Sequence, residues 1–125
     1  MARVLIIDDD EAIGRMLARR LAGAHVVTAV RSGNEALAHI ANHDFDVVLC
    51  DVNMPGMTGV AVHAAIAKRD AEQARRVVFM TGGTSSFERL GRLSNRTITK
   101  PIDMDELRRL VDGFLPIRLR ERRAR

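Results

Sequence analysis

Carboxylates that close apolar runs are the residues of this chain best suited to chemistry. Val4-Leu5-Ile6-Ile7 runs into Asp8-Asp9-Asp10-Glu11, and Val47-Val48-Leu49-Cys50 runs into Asp51. After Asp51 comes Val52-Asn53-Met54-Pro55-Gly56-Met57, a turn with Met54-Pro55-Gly56 as its breaker. Two further short strand-like segments end in polar landmarks: Arg76-Val77-Val78-Phe79-Met80 at Thr81-Gly82-Gly83-Thr84, and the brief Thr97-Ile98-Thr99 at Lys100-Pro101. Short apolar runs bounded by turn signals read as buried strands. Open α/β sheets bind ligands at the carboxyl ends of their strands.

If the strands are parallel, all four features meet at one edge. Carboxylates crowded there repel one another and raise each other's pKa unless a cation joins them. A site of carboxylates, a backbone carbonyl and water suits Mg2+. Such an ion binds phosphate oxygens and neutralises charge in the transition state of phosphoryl transfer. Asp51 then acts as a carboxylate nucleophile, giving an aspartyl-phosphate. Lys100 brings a compact positive charge to a phosphate oxygen, and the Thr81 hydroxyl brings a hydrogen bond.

The elements that must position these residues follow from periodicity. Strands are expected at Val4–Ile7, His25–Ala29, Phe45–Cys50, Arg76–Met80 and Thr97–Thr99. Helices alternate with them. Ile13, Met16, Leu17 and Leu21 line the first, which Gly23 stops. Ser32 and Glu35 form a capping box for the second, with Leu37 and Ile40. Thr58-Gly59 opens the third, with Val62, Ala65 and Ile66 on one face. A short fourth is expected at about Ser85 to Leu93, and a fifth carries Met104, Leu107, Val111 and Phe114 behind Asp103 and Glu106. The expected fold class is α/β: a doubly wound five-stranded parallel sheet with helices on both faces.

At 125 residues the chain makes one domain, with composition typical of a soluble globular protein. The expected division is a domain at 1–116 and a basic tail at 117–125. No apolar run approaches the roughly 20 residues of a membrane span, so membrane insertion is not expected. The start does not resemble a signal peptide, and the single cysteine, Cys50, lies within an apolar run. A reducing, cytoplasmic setting is the expectation. The net charge of +4 resides in residues 118–125, where five arginines face Glu121; the rest balances to zero. Nucleic-acid binding is therefore not expected of the domain. His39 and His43 stand at a metal-binding spacing, but without a neighbouring Cys they read as surface residues.

Asp8-Asp9, Asp51 within DVNMPGMTG, Thr81 and Lys100-Pro101 together resemble the receiver domain of two-component response regulators, over about residues 3–115. The resemblance implies the flavodoxin-like strand order 2-1-3-4-5. It implies Asp51 as phosphoacceptor from a histidine kinase or phosphotransfer protein. It implies Mg2+ held by Asp9, Asp51 and the Asn53 carbonyl, with Asp8 assisting through water. It also implies a cis Lys100–Pro101 bond and no turnover of an external substrate. One position departs from the family: Thr97 stands where Tyr or Phe usually couples to the threonine. That departure keeps open an alternative, a receiver-like interaction module acting without phosphorylation. An aspartyl phosphatase is disfavoured, because Asn53 replaces the general acid such enzymes carry two residues after the nucleophile.

Overall fold

The uninterrupted apolar runs become strands because both faces of the sheet they form are covered. The computed structural model describes residues 1–83 and 88–117. Its strands are β1 (Arg3–Ile7), β2 (Val26–Val30), β3 (Val47–Asp51), β4 (Val77–Thr81) and β5 (Thr97–Thr99). Among the described residues the helices are α1 (Glu11–Leu21), α2 (Gly33–Asn42), α3 (Gly59–Arg69), α4 (Ala71–Arg75) and α5 (Met104–Asp112). All strand pairs are parallel, in the order β2-β1-β3-β4-β5.

Strand residues alternate between two cores. Leu5, Ile7, Val48, Cys50, Val77 and Phe79 face Ala36 and Ile40 of α2, Val62 and Ile66 of α3, and Ala74 of α4. Val4, Ile6, Val47, Leu49, Val78 and Met80 face Leu17 and Leu21 of α1 and Leu107 and Val111 of α5. Each Leu or Ile removed from water this way contributes about 2 kcal/mol.

Side-chain caps begin each of these five described helices. The Asp10 carboxylate accepts from the Ala12 and Ile13 amides, Ser32 from Glu35, Thr58 from Ala61, Asp70 from Gln73, and Asp103 from Asp105 and Glu106. The Ser32 hydroxyl also donates to the Glu35 carboxylate, 3.3 Å away. Cap and dipole together explain why acids crowd the helix starts.

Sequence and structure differ in several details, among them β2, expected at His25–Ala29 and found at Val26–Val30. Hydrogen bonding carries β3 and β4 one residue past the apolar runs, so Asp51 and Thr81 are the last residues of their strands. The helix α4 was not foreseen; buried Asp70 both ends α3 and caps α4. The helix expected at about Ser85 to Leu93 begins in residues outside those described.

At the amino ends of the strands, a second polar cluster ties distant segments together. Buried Asp46 accepts the Arg3 amide at 2.7 Å through one oxygen and the Ile117 amide at 2.7 Å through the other. The Arg76 guanidinium donates to the carbonyls of Asp46 and Leu115. The Gln73 amide, also buried, bonds both backbone groups of Phe45 at 2.9 Å.

Candidate functional site

Parallel pairing brings four strand ends to one edge. Asp8 follows β1, Asp51 ends β3, Thr81 ends β4 and Lys100 follows β5. Asp51 pairs with Met80 in the ladder, which sets Thr81 one residue beyond on the neighbouring strand. Thr81 pairs with Thr99, and its carbonyl accepts the Lys100 amide at 2.8 Å. The Lys100–Pro101 bond is cis.

Lys100 crosses to the acids. Its Nζ lies 2.9 Å from Asp8 Oδ2 and 3.5 Å from Asp51 Oδ2. The other Asp8 oxygen accepts the Asp10 amide at 2.9 Å, and Asp51 Oδ1 accepts the Asn53 amide at 3.3 Å. Asp8, Asp51 and Thr81 are buried, while Asn53 is exposed. Asp8, Asp9 and Asp51 each offer a carboxylate oxygen, all within 4.8 Å of one another.

Burial is the largest influence on Asp51 and pushes its carboxyl above the ordinary aspartate range. Lys100 pulls it back, Asp8 pushes it further up, and the Asn53 amide lowers it. Burial alone would depress Lys100, but the bond to Asp8 and the charges of Asp51 and Asp8 leave it raised. Burial, then the charges of Asp51 and Asp8, drive the Cys50 thiol up to about 12. Cys50 is therefore a neutral core residue and not a nucleophile.

One contributor did not stand out in the sequence as part of the site. Gly59 opens α3 against the back of β3, its amide donating to the Val52 carbonyl at 2.9 Å. A Cβ there would sit 2.4 Å from the Asp51 carbonyl oxygen. Only glycine lets the helix come this close to the strand bearing Asp51. Gly56, with φ of +81°, makes the turn between them.

The model of the response regulator receiver domain family matches residues 4–112. The chain belongs to that family. This receiver domain is 35% identical over 113 residues to the DNA-binding transcriptional regulator NtrC of Salmonella typhimurium. The match takes in 87% of this chain but 24% of NtrC, so the chain spans about a quarter of that relative's length. Protein PilG of Pseudomonas aeruginosa is 29% identical, with 91% of this chain and 87% of PilG covered. Among solved structures, the response regulator TrrA of Thermotoga maritima, in complex with Mg2+ and BeF, superposes with a TM-score of 0.80 at 25% identity. That match covers 92% of this chain and all of TrrA. The chemotaxis protein CheY4 of Vibrio cholerae superposes with a TM-score of 0.76 at 28% identity, covering 92% and 99%. Receiver domains are signalling modules of two-component systems. No described helix is long and apolar enough to cross a membrane.

Proposed function

We propose that this receiver domain takes a phosphoryl group onto Asp51 from a phosphohistidine of a histidine kinase or phosphotransfer protein. The observation that carries the reading is Lys100, reaching across β4 to Asp51 and across β4 and β3 to Asp8. A cation spent on two acids in a pocket that also holds Asp9 is what an incoming anion needs.

The acid cluster fits Mg2+ by its chemistry: hard carboxylate oxygens, close enough to share one ion. Asp9, Asp51 and the Asn53 carbonyl would hold it, with Asp8 acting through water. Bound there, Mg2+ supplies positive charge for the phosphoryl oxygens during transfer.

The remaining work falls to the chain's own residues. An Asp51 carboxylate oxygen forms the new P–O bond as the donor's P–N bond breaks. The bonding pair leaves with the imidazole nitrogen, which takes up a proton. Lys100 Nζ pairs with a phosphoryl oxygen, and the Thr81 hydroxyl donates to another. The charge added at Asp51 biases two conformations of the domain, and a partner protein reads the favoured one.

Incubation with Mg2+ and a small phosphodonor is expected to add one phosphate by intact mass. Asp51→Asn abolishes it, and so does chelation of the metal. Equal labelling of Asp51→Asn refutes the assignment.

A further inference from the structure

Residues 1–117 carry no net charge, but the fold separates the signs. Every major helix runs back against the strands. Helix starts therefore gather with Asp51, and helix ends gather with the amino ends of the strands. Glu11, Glu35, Asp105 and Glu106 occupy first turns at the Asp51 end, beside Asp8 to Asp10. Last turns at the opposite end hold Arg19 and Arg20 of α1, Lys68 and Arg69 of α3, and Arg109 of α5. Arg96, immediately before β5, joins them.

These six cations are exposed, and none has an acidic partner among the described residues. The acids at this end are engaged. Asp46 binds two backbone amides, Asp70 caps α4, Glu72 lies between Arg75 and Arg76, and Asp112 faces His25. Helix ends prefer cations, and five helix C-termini offset about half a charge each. Six cations exceed that requirement.

Three apolar side chains are exposed at the same end, those of Met1, Leu115 and Val26. Leu115 is 76% exposed, although its carbonyl is held by Arg76 and Ile117 beyond it is buried. Val26, at the start of β2, is 49% exposed. The sequence then continues from Ile117 into the five arginines of residues 118–125.

We propose that this basic end of the domain docks on an anionic lipid surface. The cations come from three helices and the segment just before β5, spread over a five-stranded sheet about 20 Å wide. A plane meets them together, whereas a narrow polyanion meets only some. Exposed Leu115 and Val26 suit a lipid interface and add nothing to phosphate-backbone contacts. Docked so, the domain turns the Asp51 pocket to the far side, about 17 Å away along the strands, where a phosphodonor has free approach. The proposal is independent of phosphorylation at Asp51.

The test is flotation of the 125-residue chain with vesicles of phosphatidylcholine, with or without phosphatidylserine. Flotation is expected with the anionic vesicles alone in about 0.1 M salt and is lost in about 1 M salt. Arg19→Gln, Lys68→Gln and Arg109→Gln each lower partitioning about fivefold, and together roughly a hundredfold. Arg31→Gln, at the acidic end, leaves it unchanged. The single variants keep the test alive if the triple variant does not fold by circular dichroism. Equal flotation with neutral vesicles overturns the proposal, as does parent-like flotation of folded triple variant. Release from vesicles by duplex DNA or polyglutamate of matched charge reassigns the surface to nucleic acid or protein and also overturns it.

Discussion

Lys100 is the residue on which the resting pocket depends most. Asp8 is 1% exposed and its nearest cation is Lys100 Nζ. Lys100→Ala leaves a buried carboxylate without its ion pair. Because the lysine side chain is itself partly exposed, the expected loss is about 2 kcal/mol, below that of a fully buried pair. Urea denaturation at neutral pH in metal-free buffer measures it. Asp51 makes the opposite prediction. Burial holds its carboxyl above the ordinary range, so the native protein takes a proton at a pH where the unfolded chain has not. Ionised Asp51 therefore costs stability above its native pKa and costs nothing below the unfolded value near 3.9. Asp51→Asn is expected to stabilise the metal-free protein at pH 7, with the gain vanishing as pH falls toward 3. Urea midpoints of parent and variant across that range check both sign and window.

At the scale of elements, the site depends on how closely α3 approaches β3. Gly59→Ala puts a methyl group 2.4 Å from the Asp51 carbonyl oxygen, a backbone atom that cannot swing away. Overpacking of this kind costs about 1–3 kcal/mol. The strand end bearing Asp51 has to shift to relieve it, so a lowered urea midpoint and slower labelling from a small phosphodonor are expected together. The strand ends that carry Asp8, Asp51 and Thr81 were legible because an apolar run stops at a polar residue, and that of Lys100 because the brief Thr97-Ile98-Thr99 strand closes on Lys100-Pro101. Parallel topology then brings such ends together whatever their separation in sequence. Asp46 and Gln73 were not legible. Each is an ordinary polar residue in a run of its neighbours, and its role is to satisfy backbone groups far along the chain. No local spacing encodes such a bond. The helix α4 escaped for a related reason. One buried aspartate closes the previous helix and opens this one, leaving no loop between them to mark the boundary.

At the scale of the whole molecule, the last residues described are part of the fold. Ile117 is 4% exposed and its amide reaches Asp46. A chain ending at Pro116 gives up that burial and leaves one Asp46 oxygen without its partner. The loss relative to a chain ending after Ile117 is expected to be about 2–3 kcal/mol, read as a difference between the two in urea unfolding. Asp46→Ala, which releases both amides at once, is expected to cost about as much again.

The same carboxylate fastens the Arg3 amide with one oxygen and the Ile117 amide with the other. Arg3 and Ile117 are thus neighbours across a single side chain. Such a module can be spliced into a surface loop of a host protein with scarcely any gap to bridge. Its termini can equally be joined by a few residues and the ring reopened elsewhere, for instance in the exposed turn at Gly23, without disturbing the pocket at the far end.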